Sequence, residues 1–495
     1  MIAIRKATLR WLPAVLLLTC VLIHLPTFDD PIVEHHAFRQ TQTAYTARIY
    51  HEDGIDLLHP KLPVLGPPWE VPFEFPLFQA AAAMVMDVGV PEDPAMRLTG
   101  FASFLLAAVL LWLLVRRQAG PVAGVIALGV FAFSPLGITW SRTSLIEYLA
   151  LAASIGFALA GLRWRERLDG RWYAFGLALG CVAALVKITT SAFWLAPFAL
   201  LGYSRDGATE TRRTQAAAWG LSVIPLVVGF AWTRYADAIK AASTATAWLT
   251  SSALAYWNFG DLAERTDPAA WERATLTVIV LAGGISLPLL AIPIIRFAHT
   301  HAQRRFWTWI ALTLAGPVLI FFNLYVVHDY YAVAVSGSVA ALVGVGFVEI
   351  ARMRSLLARV AYPLAVGVTL VAWFAWTAYW TPIYDRRSDP EGILPLAAQI
   401  ERETAPGEYV AIMGRDWAPS ILYYAHRWGW MVRDADWPPE LVSLVRAGGW
   451  AVYRCPPGRE ADHCDRIDIS TMAVPVPLPT FGPVTAGAGL LQSNP

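Results

Sequence analysis

The chain has 495 residues, 56% of them hydrophobic and 15% charged. A soluble globular protein carries about 25% charged residues, so the composition excludes a soluble fold and indicates an integral membrane protein. A formal net charge of +1 supplies no basic surface for nucleic acid, and no nucleic-acid partner is expected.

A membrane-crossing helix needs about 20 mostly apolar residues. In chain order such runs fall near residues 9–27, 96–115, 119–139, 143–162, 172–187, 190–203, 215–234, 273–295, 306–327, 331–350 and 360–381. The first follows Arg5-Lys6 and has no small-x-small cleavage site after it, so it reads as a retained anchor. As one helix, Arg171–Tyr203 would run roughly 48 Å at 1.5 Å per residue, too long for an apolar layer of roughly 30 Å. Two spans with a bend at Lys187-Ile188-Thr189-Thr190 fit better. Among the 22 Trp, Trp11, Trp140, Trp172, Trp232, Trp271 and Trp380 sit near span ends, as an interfacial belt requires.

Basic residues set the orientation. Arg5, Lys6 and Arg10; Arg116 and Arg117; Arg163, Arg165, Arg167 and Arg171; Arg205, Arg212 and Arg213; Arg296, Arg304 and Arg305; and Arg352, Arg354 and Arg359 fall in alternate connections, as cytoplasmic loops do. Merging the fifth and sixth runs would export the last three groups. The expected architecture is therefore an all-α polytopic membrane protein of about eleven transmembrane helices, residues 1–381. Its N-terminus is cytoplasmic, in the inner membrane of a bacterium. Long outer loops cover about 28–95 and 235–271.

From about residue 382 to 475 the chain turns soluble. Helix-like Ile393–Glu403, Ala418–His426 and Pro439–Arg446 alternate with strand-like Tyr409–Met413, Trp430–Arg433 and Trp450–Tyr453. That pattern predicts a small extracytoplasmic α/β domain, followed by a Pro/Gly/Ala-rich tail over 476–495. Cys455 and Cys464 lie in this exported part, where a disulfide between them is open but not required.

Polar clusters follow the spans on the outer side. The first loop begins Glu34-His35-His36-Ala37-Phe38-Arg39-Gln40-Thr41-Gln42-Thr43-Ala44 and continues to Arg48. On a helix Arg39, Gln42 and Thr43 share a face, which lines a cavity or else forms the solvated side of an interfacial helix. His35-His36 invites a metal, but no His-x-x-x-His or Cys pair completes a site. No metal ligand is assigned; a divalent metal stays open as a cofactor. Glu74, between Pro72 and Pro76, needs a partner or a raised pKa. Glu147 lies inside a span, where an acid costs about 2.5–3.5 kcal/mol, so a partner or a function must hold it there. Lys187 at the outer end of its span either snorkels or, beside Thr189 and Thr190, meets a phosphate. His328-Asp329-Tyr330-Tyr331 stands between two spans and suits gripping a headgroup. In the second loop, Arg234, Tyr235, Asp237 and Lys240 precede Trp257-Asn258-Phe259-Gly260, a mixture suited to sugar and phosphate.

The ordered set Phe38–Ala44 with Arg48, Glu74-Phe75-Pro76-Leu77, Arg142–Glu147, Leu185-Val186-Lys187, Trp257–Gly260 and His328–Tyr331 resembles the polytopic GT-C glycosyltransferases. The similarity is to the group of protein O-mannosyltransferases and the lipid A aminoarabinose transferase (glycosyltransferase family 39). The resemblance implies transfer of a sugar from a polyprenyl-phosphate donor, on the extracytoplasmic side, to a lipid, glycan or protein acceptor among membrane lipids. Many relatives carry an acid where this chain has Gln42.

Such a transfer needs a carboxylate near the acceptor hydroxyl and cations at the departing phosphate. The expected base or its organiser is Glu74 or Glu147, with Glu34 as a third candidate. Arg39, Lys187 and His328 are expected at the phosphate, Tyr330 and Tyr331 beside lipid or sugar, and Gln42 and Arg48 in the same site. A polyprenyl-linked substrate transporter or flippase, and a glycan ligase using a diphosphate-linked donor, are the alternatives. Against transport stand the lack of a repeat and the gathering of polar groups at one face.

Overall fold

The computed structural model describes residues 6–202, 211–298, 300–353, 355–380, 389–432, 439–455 and 463–468. The expected strand residue Arg433 and the tail over 476–495 lie outside them. Among the described residues, five helical stretches are long and apolar enough, by length and composition, to cross a membrane: Leu9–Thr27, Glu92–Ala119, Gly170–Leu201, Arg212–Ala241 and Asp329–Arg352. Of the other expected spans, 143–162 and 360–381 coincide with the continuous helices Glu147–Arg167 and Leu356–Trp380, and the rest are interrupted. The run 119–139 breaks into Pro121–Phe133 and Pro135–Trp140, where Ser134 caps the second piece by accepting from the Gly137 amide. The run 273–295 is interrupted at Gly283, whose φ of +84° only glycine adopts readily. The run 306–327 divides at Phe321.

Gly170–Leu195 is continuous except at Lys187, whose φ and ψ of −161° and 95° are extended, not helical. The chain turns back there. A straight helix would hold residues 180 and 195 about 22 Å apart, yet a Cβ at Gly180 would lie 3.2 Å from the Leu195 side chain. The returning arm also brings Phe198 to Phe157, with ring centroids 5.1 Å apart, and its carbonyl to the Arg165 guanidinium. The bend expected at Lys187–Thr190 is thus a hairpin with Lys187 at its tip.

The Val333–Arg352 helix fills the middle of the bundle, and nearly all of its residues are buried. Its sequence explains why: Ser336, Gly337, Ser338, Ala340, Ala341, Gly344 and Gly346 let neighbours approach closely. A Cβ at Gly344 would lie 2.6 Å from the Ala123 carbonyl oxygen. Ser338 meets Thr313 of the His301–Ile320 helix at 2.6 Å, giving a hydroxyl contact between helices.

Outside the bundle, four short strands form one sheet in the order β2-β1-β3-β4, with β1 Val410–Met413, β2 Gly429–Val432, β3 Ala451–Arg454 and β4 Asp465–Arg466. The first three are parallel and β4 is antiparallel. Cys455 and Cys464 form a disulfide between the ends of β3 and β4, so the option left open by the sequence is realised. This α/β unit is not packed separately. Ile393, Leu396, Ile412, Tyr423 and Tyr453 share a hydrophobic core with Ile32, Tyr45, Val64 and Phe78 of the first loop. The loop segment around Val64 even extends the sheet edge, accepting the Met431 amide at 2.8 Å.

Buried charges tie the first loop down. Arg97, fully buried in the Glu92–Ala119 helix, holds both Glu34 oxygens at 2.8 and 2.7 Å and the carbonyls of Asp30 and Pro31. Burial pushes the Glu34 carboxyl up, but Arg97 more than offsets this and holds it below the usual range. Arg48 pairs with Glu92 and reaches the Tyr423 carbonyl, and Asp93 accepts from Tyr423 and Tyr424 at 2.9 and 2.7 Å. Removing one partner of a buried ion pair costs about 3–5 kcal/mol. Arg97→Met is therefore expected to lower the thermal unfolding midpoint of the purified protein sharply, and Arg97→Met with Glu34→Gln to recover part of the loss. An unchanged midpoint in the single variant would refute the structural role.

Candidate active site

The hairpin tip presents Lys187, buried and flanked by two carboxylates. Glu147, first residue of the Glu147–Arg167 helix, forms a close ion pair with it through Oε1. The second Glu147 oxygen is buried and has no hydrogen-bond partner among the described residues. A carboxylate at a helix N-terminus also meets the positive end of the helix dipole. The chain therefore tolerates an acid there despite its cost in a span.

Glu74 comes in from the first loop. Its segment is pinned on both sides: the Phe75 amide donates to the Leu185 carbonyl at 3.0 Å, and the Trp232 indole donates to the Phe73 carbonyl at 3.0 Å. Its Oε1 accepts from Arg39 at 2.8 Å and lies 3.9 Å from the Lys187 ammonium. Burial pushes the Glu74 carboxyl up, but the Arg39 and Lys187 charges outweigh it and hold it down to about 2. Arg39 also donates to Gln42 at 2.6 Å, one turn along the Ala37–Asp53 helix. Where an acid would sit beside Arg39, Gln42 supplies a neutral acceptor. Arg39, Gln42, Thr43, Thr46, Phe73 and Glu74 line a small cleft open to the outside.

A wall of aromatic rings bounds the other side. Lys187 lies over the Tyr331 ring, 4.8 Å from its centroid, and Tyr331 packs on Tyr330 at 4.5 Å. His328 stacks on Tyr330 at 5.2 Å and meets Trp257 of the second loop at 5.5 Å. Its Nδ1 is buried with no hydrogen-bond partner among the described residues. The rest of the second loop folds on itself: Asp237 accepts from Ser251, and Lys240 donates to the Leu249 carbonyl.

The structure thus brings Glu74, Glu147, Arg39, Gln42, Lys187, His328, Tyr330 and Tyr331 to one place. It does not bring Glu34 or Arg48 there. Glu34 is locked to Arg97 and Arg48 to Glu92, so both serve the loop's attachment and correct the expectation drawn from their position in the polar run. The sequence raised His35-His36 as a metal candidate but gave the pair no partner, and the structure supplies one in Asp329. His36 Nε2 lies 3.1 Å from Asp329 Oδ1, and His35 Nε2 lies 3.9 Å from Oδ2. Burial pushes the His36 imidazole down to about 3 and keeps it neutral. The His pair was visible in the sequence, but its carboxylate partner lies 293 residues away.

Residues 70–232 match the family model described as dolichyl-phosphate-mannose-protein mannosyltransferase. This stretch holds Glu74, Glu147 and Lys187 but neither the His pair nor Asp329. None of the curated proteins matches the sequence. Among solved structures, ArnT from Cupriavidus metallidurans in the apo state is similar with a TM-score of 0.62 at 13% identity, over 91% of this chain and 94% of that one. ArnT bound to undecaprenyl phosphate gives 0.60 at 13% identity, over 90% and 93%. The archaeal oligosaccharyltransferase AglB from Archaeoglobus fulgidus, in complex with an inhibitory peptide and a dolichol-phosphate, gives 0.54 at 11% identity, over 90% and 69%. In its matched segment and in its fold, the chain resembles the GT-C polytopic membrane glycosyltransferases.

Proposed function

We propose that the protein transfers a sugar from a polyprenyl-phosphate donor to an acceptor hydroxyl on the extracytoplasmic face of a bacterial inner membrane, with inversion at the anomeric carbon. The observation that carries this reading is the buried Lys187 at the hairpin tip, held between Glu147 and Glu74. Undecaprenyl phosphate in ArnT and dolichol-phosphate in AglB are lipid phosphates of the required class.

In the proposed reaction the acceptor oxygen attacks the anomeric carbon as its proton passes to a carboxylate. The bond from that carbon to the phosphate oxygen breaks, and its electron pair stays on the departing polyprenyl phosphate. Glu147 is the better base, because its Oε2 is uncommitted while Lys187 holds Oε1. Glu74 is held so low by two cations that it takes up a proton poorly. It organises Arg39 and Lys187 instead, and these, with His328, meet the growing phosphate charge. Tyr330 and Tyr331 flank the sugar or the first isoprene unit.

Positioned proton transfer is worth about 10²–10⁴-fold, so Glu147→Gln is expected to lower turnover with a polyprenyl-phosphate sugar by that factor. A stabilising donor is worth about 10²–10³-fold, the drop expected for Lys187→Ala. Near-normal turnover in both variants would reject the reading. So would net accumulation of the lipid-linked sugar in proteoliposomes without covalent transfer.

Glu74 also makes a stability prediction. Its folded value near 2 lies below the ordinary 4.5, so its contribution is fully present above about pH 4.5 and is lost as pH falls through 2. At 1.36 kcal/mol per unit that contribution is roughly 3 kcal/mol at neutral pH. The melting midpoint of Glu74→Gln should therefore lie well below wild type at pH 7, with the gap narrowing as pH is lowered from 4.5. A gap that does not depend on pH would contradict the ion-pair account.

A further inference from the structure

The His35–His36 pair and Asp329 form a cluster that the transfer reaction as written does not use. All three side chains are partly buried, at 30%, 16% and 14% exposure in that order. One ligand atom from each lies within 4.8 Å of those from the other two. Neighbouring residues in an extended chain point to opposite sides. Here His36 adopts φ and ψ of 58° and 36°, the left-handed region that non-glycine residues enter at a cost. With that turn the two rings lie on the same side, 4.0 Å apart, and both present Nε2 to the Asp329 carboxylate. A hydrogen bond to Asp329 needs only one imidazole. Two converging on one carboxylate, through a strained backbone, is the arrangement of a ligand set.

We propose that His35, His36 and Asp329 bind a divalent transition-metal ion of the zinc or manganese type. Two imidazole nitrogens and one carboxylate oxygen make a three-ligand set that leaves a position open. Imidazole ligation favours such ions over magnesium and calcium, which take oxygen. In a tetrahedral site with bonds of about 2.0–2.2 Å the ligand atoms lie about 3.4 Å apart, so closing around an ion needs only small side-chain rotations. Trp140 and Tyr330 wall the cluster, with ring centroids 5.5 and 5.0 Å from His36, and exclude bulk water from that side. His328 stands edge-on to His36 at 4.6 Å.

Tyr330 and Tyr331 follow Asp329 directly and separate this cluster from Lys187. An ion there leaves one net positive charge after the carboxylate is counted, and its open position takes a phosphoryl oxygen of the donor. That use rests on the function proposed above; the binding of the metal does not.

The test uses the full chain in nanodiscs, stripped with EDTA, then titrated separately with zinc, manganese and magnesium ions. Elemental mass spectrometry should find about one tightly held zinc or manganese per chain, with no competition from excess magnesium. Cobalt should bind with the visible absorption of a low-coordinate site. Asp329→Asn and His35→Gln should weaken binding at least about tenfold, whereas Glu147→Gln should retain it. Wild-type protein that retains no stoichiometric zinc, manganese or cobalt overturns the proposal whether or not the variants fold. So does Asp329→Asn binding as tightly as wild type, which would leave the cluster a hydrogen-bonded His–Asp pair. Metal binding with no sugar transfer would count against the proposed function alone, and transfer by metal-free protein against the ion's use in that reaction alone.

Discussion

The buried pair between Glu147 and Lys187 is the constraint on which the rest of the site depends. Neither charge is tolerable at that depth alone, since an unpaired buried ion costs several kcal/mol. Each can remain charged only because the other is there. Pairing fixes the tip of the hairpin against the start of the Glu147–Arg167 helix. Lys187 has charge left over for a second carboxylate, which draws Glu74 in from the loop, and Glu74 in turn holds Arg39. Four ionisable groups from four separate segments are thereby placed by mutual neutralisation, with one carboxylate oxygen left uncommitted.

A loop carrying such charges must be held firmly, and the α/β unit supplies the hold. Four strands of two to four residues enclose too little apolar surface for a core of their own. They complete one against the first loop, through Tyr45, Val64 and Phe78 on one side and Leu396, Ile412 and Tyr453 on the other. Thr41 in the Ala37–Asp53 helix bonds Ser420, and Tyr45 donates to the Arg427 carbonyl. The helix that presents Arg39 and Gln42 to the cleft is thus clamped from behind by the C-terminal unit. That unit contributes to the site by rigidity, and by Trp417, which packs on Phe38 and Phe73 beside the cleft.

Much of this was legible in the sequence, and the reasons are local. The N-terminal helix and the strand segments around Val410, Trp430 and Val452 follow from runs of residues a few positions apart. The bend at Lys187 was legible because one helix over Arg171–Tyr203 would outrun the apolar layer. The interruptions at Ser134 and Gly283 were not, because hydropathy averages over a break of one or two residues. Glu34 and Arg48 sat in a polar run that did hold site residues, and nothing in the run itself distinguishes a residue facing the cleft from one facing Arg97 or Glu92. The importance of Asp329 was hidden in the same way, since its sequence neighbours His328 and Tyr330 carry the signal.

By itself, then, the sequence determined the class of the molecule, the gathering of its polar groups in one place, and most of the residues that meet there. Hydropathy and charge are properties of short segments, and the membrane converts them directly into position. Only the tertiary structure decided which acid pairs with which cation. Pairing depends on distances of a few ångströms between residues 35, 40, 63 or 293 positions apart, and no local pattern encodes those.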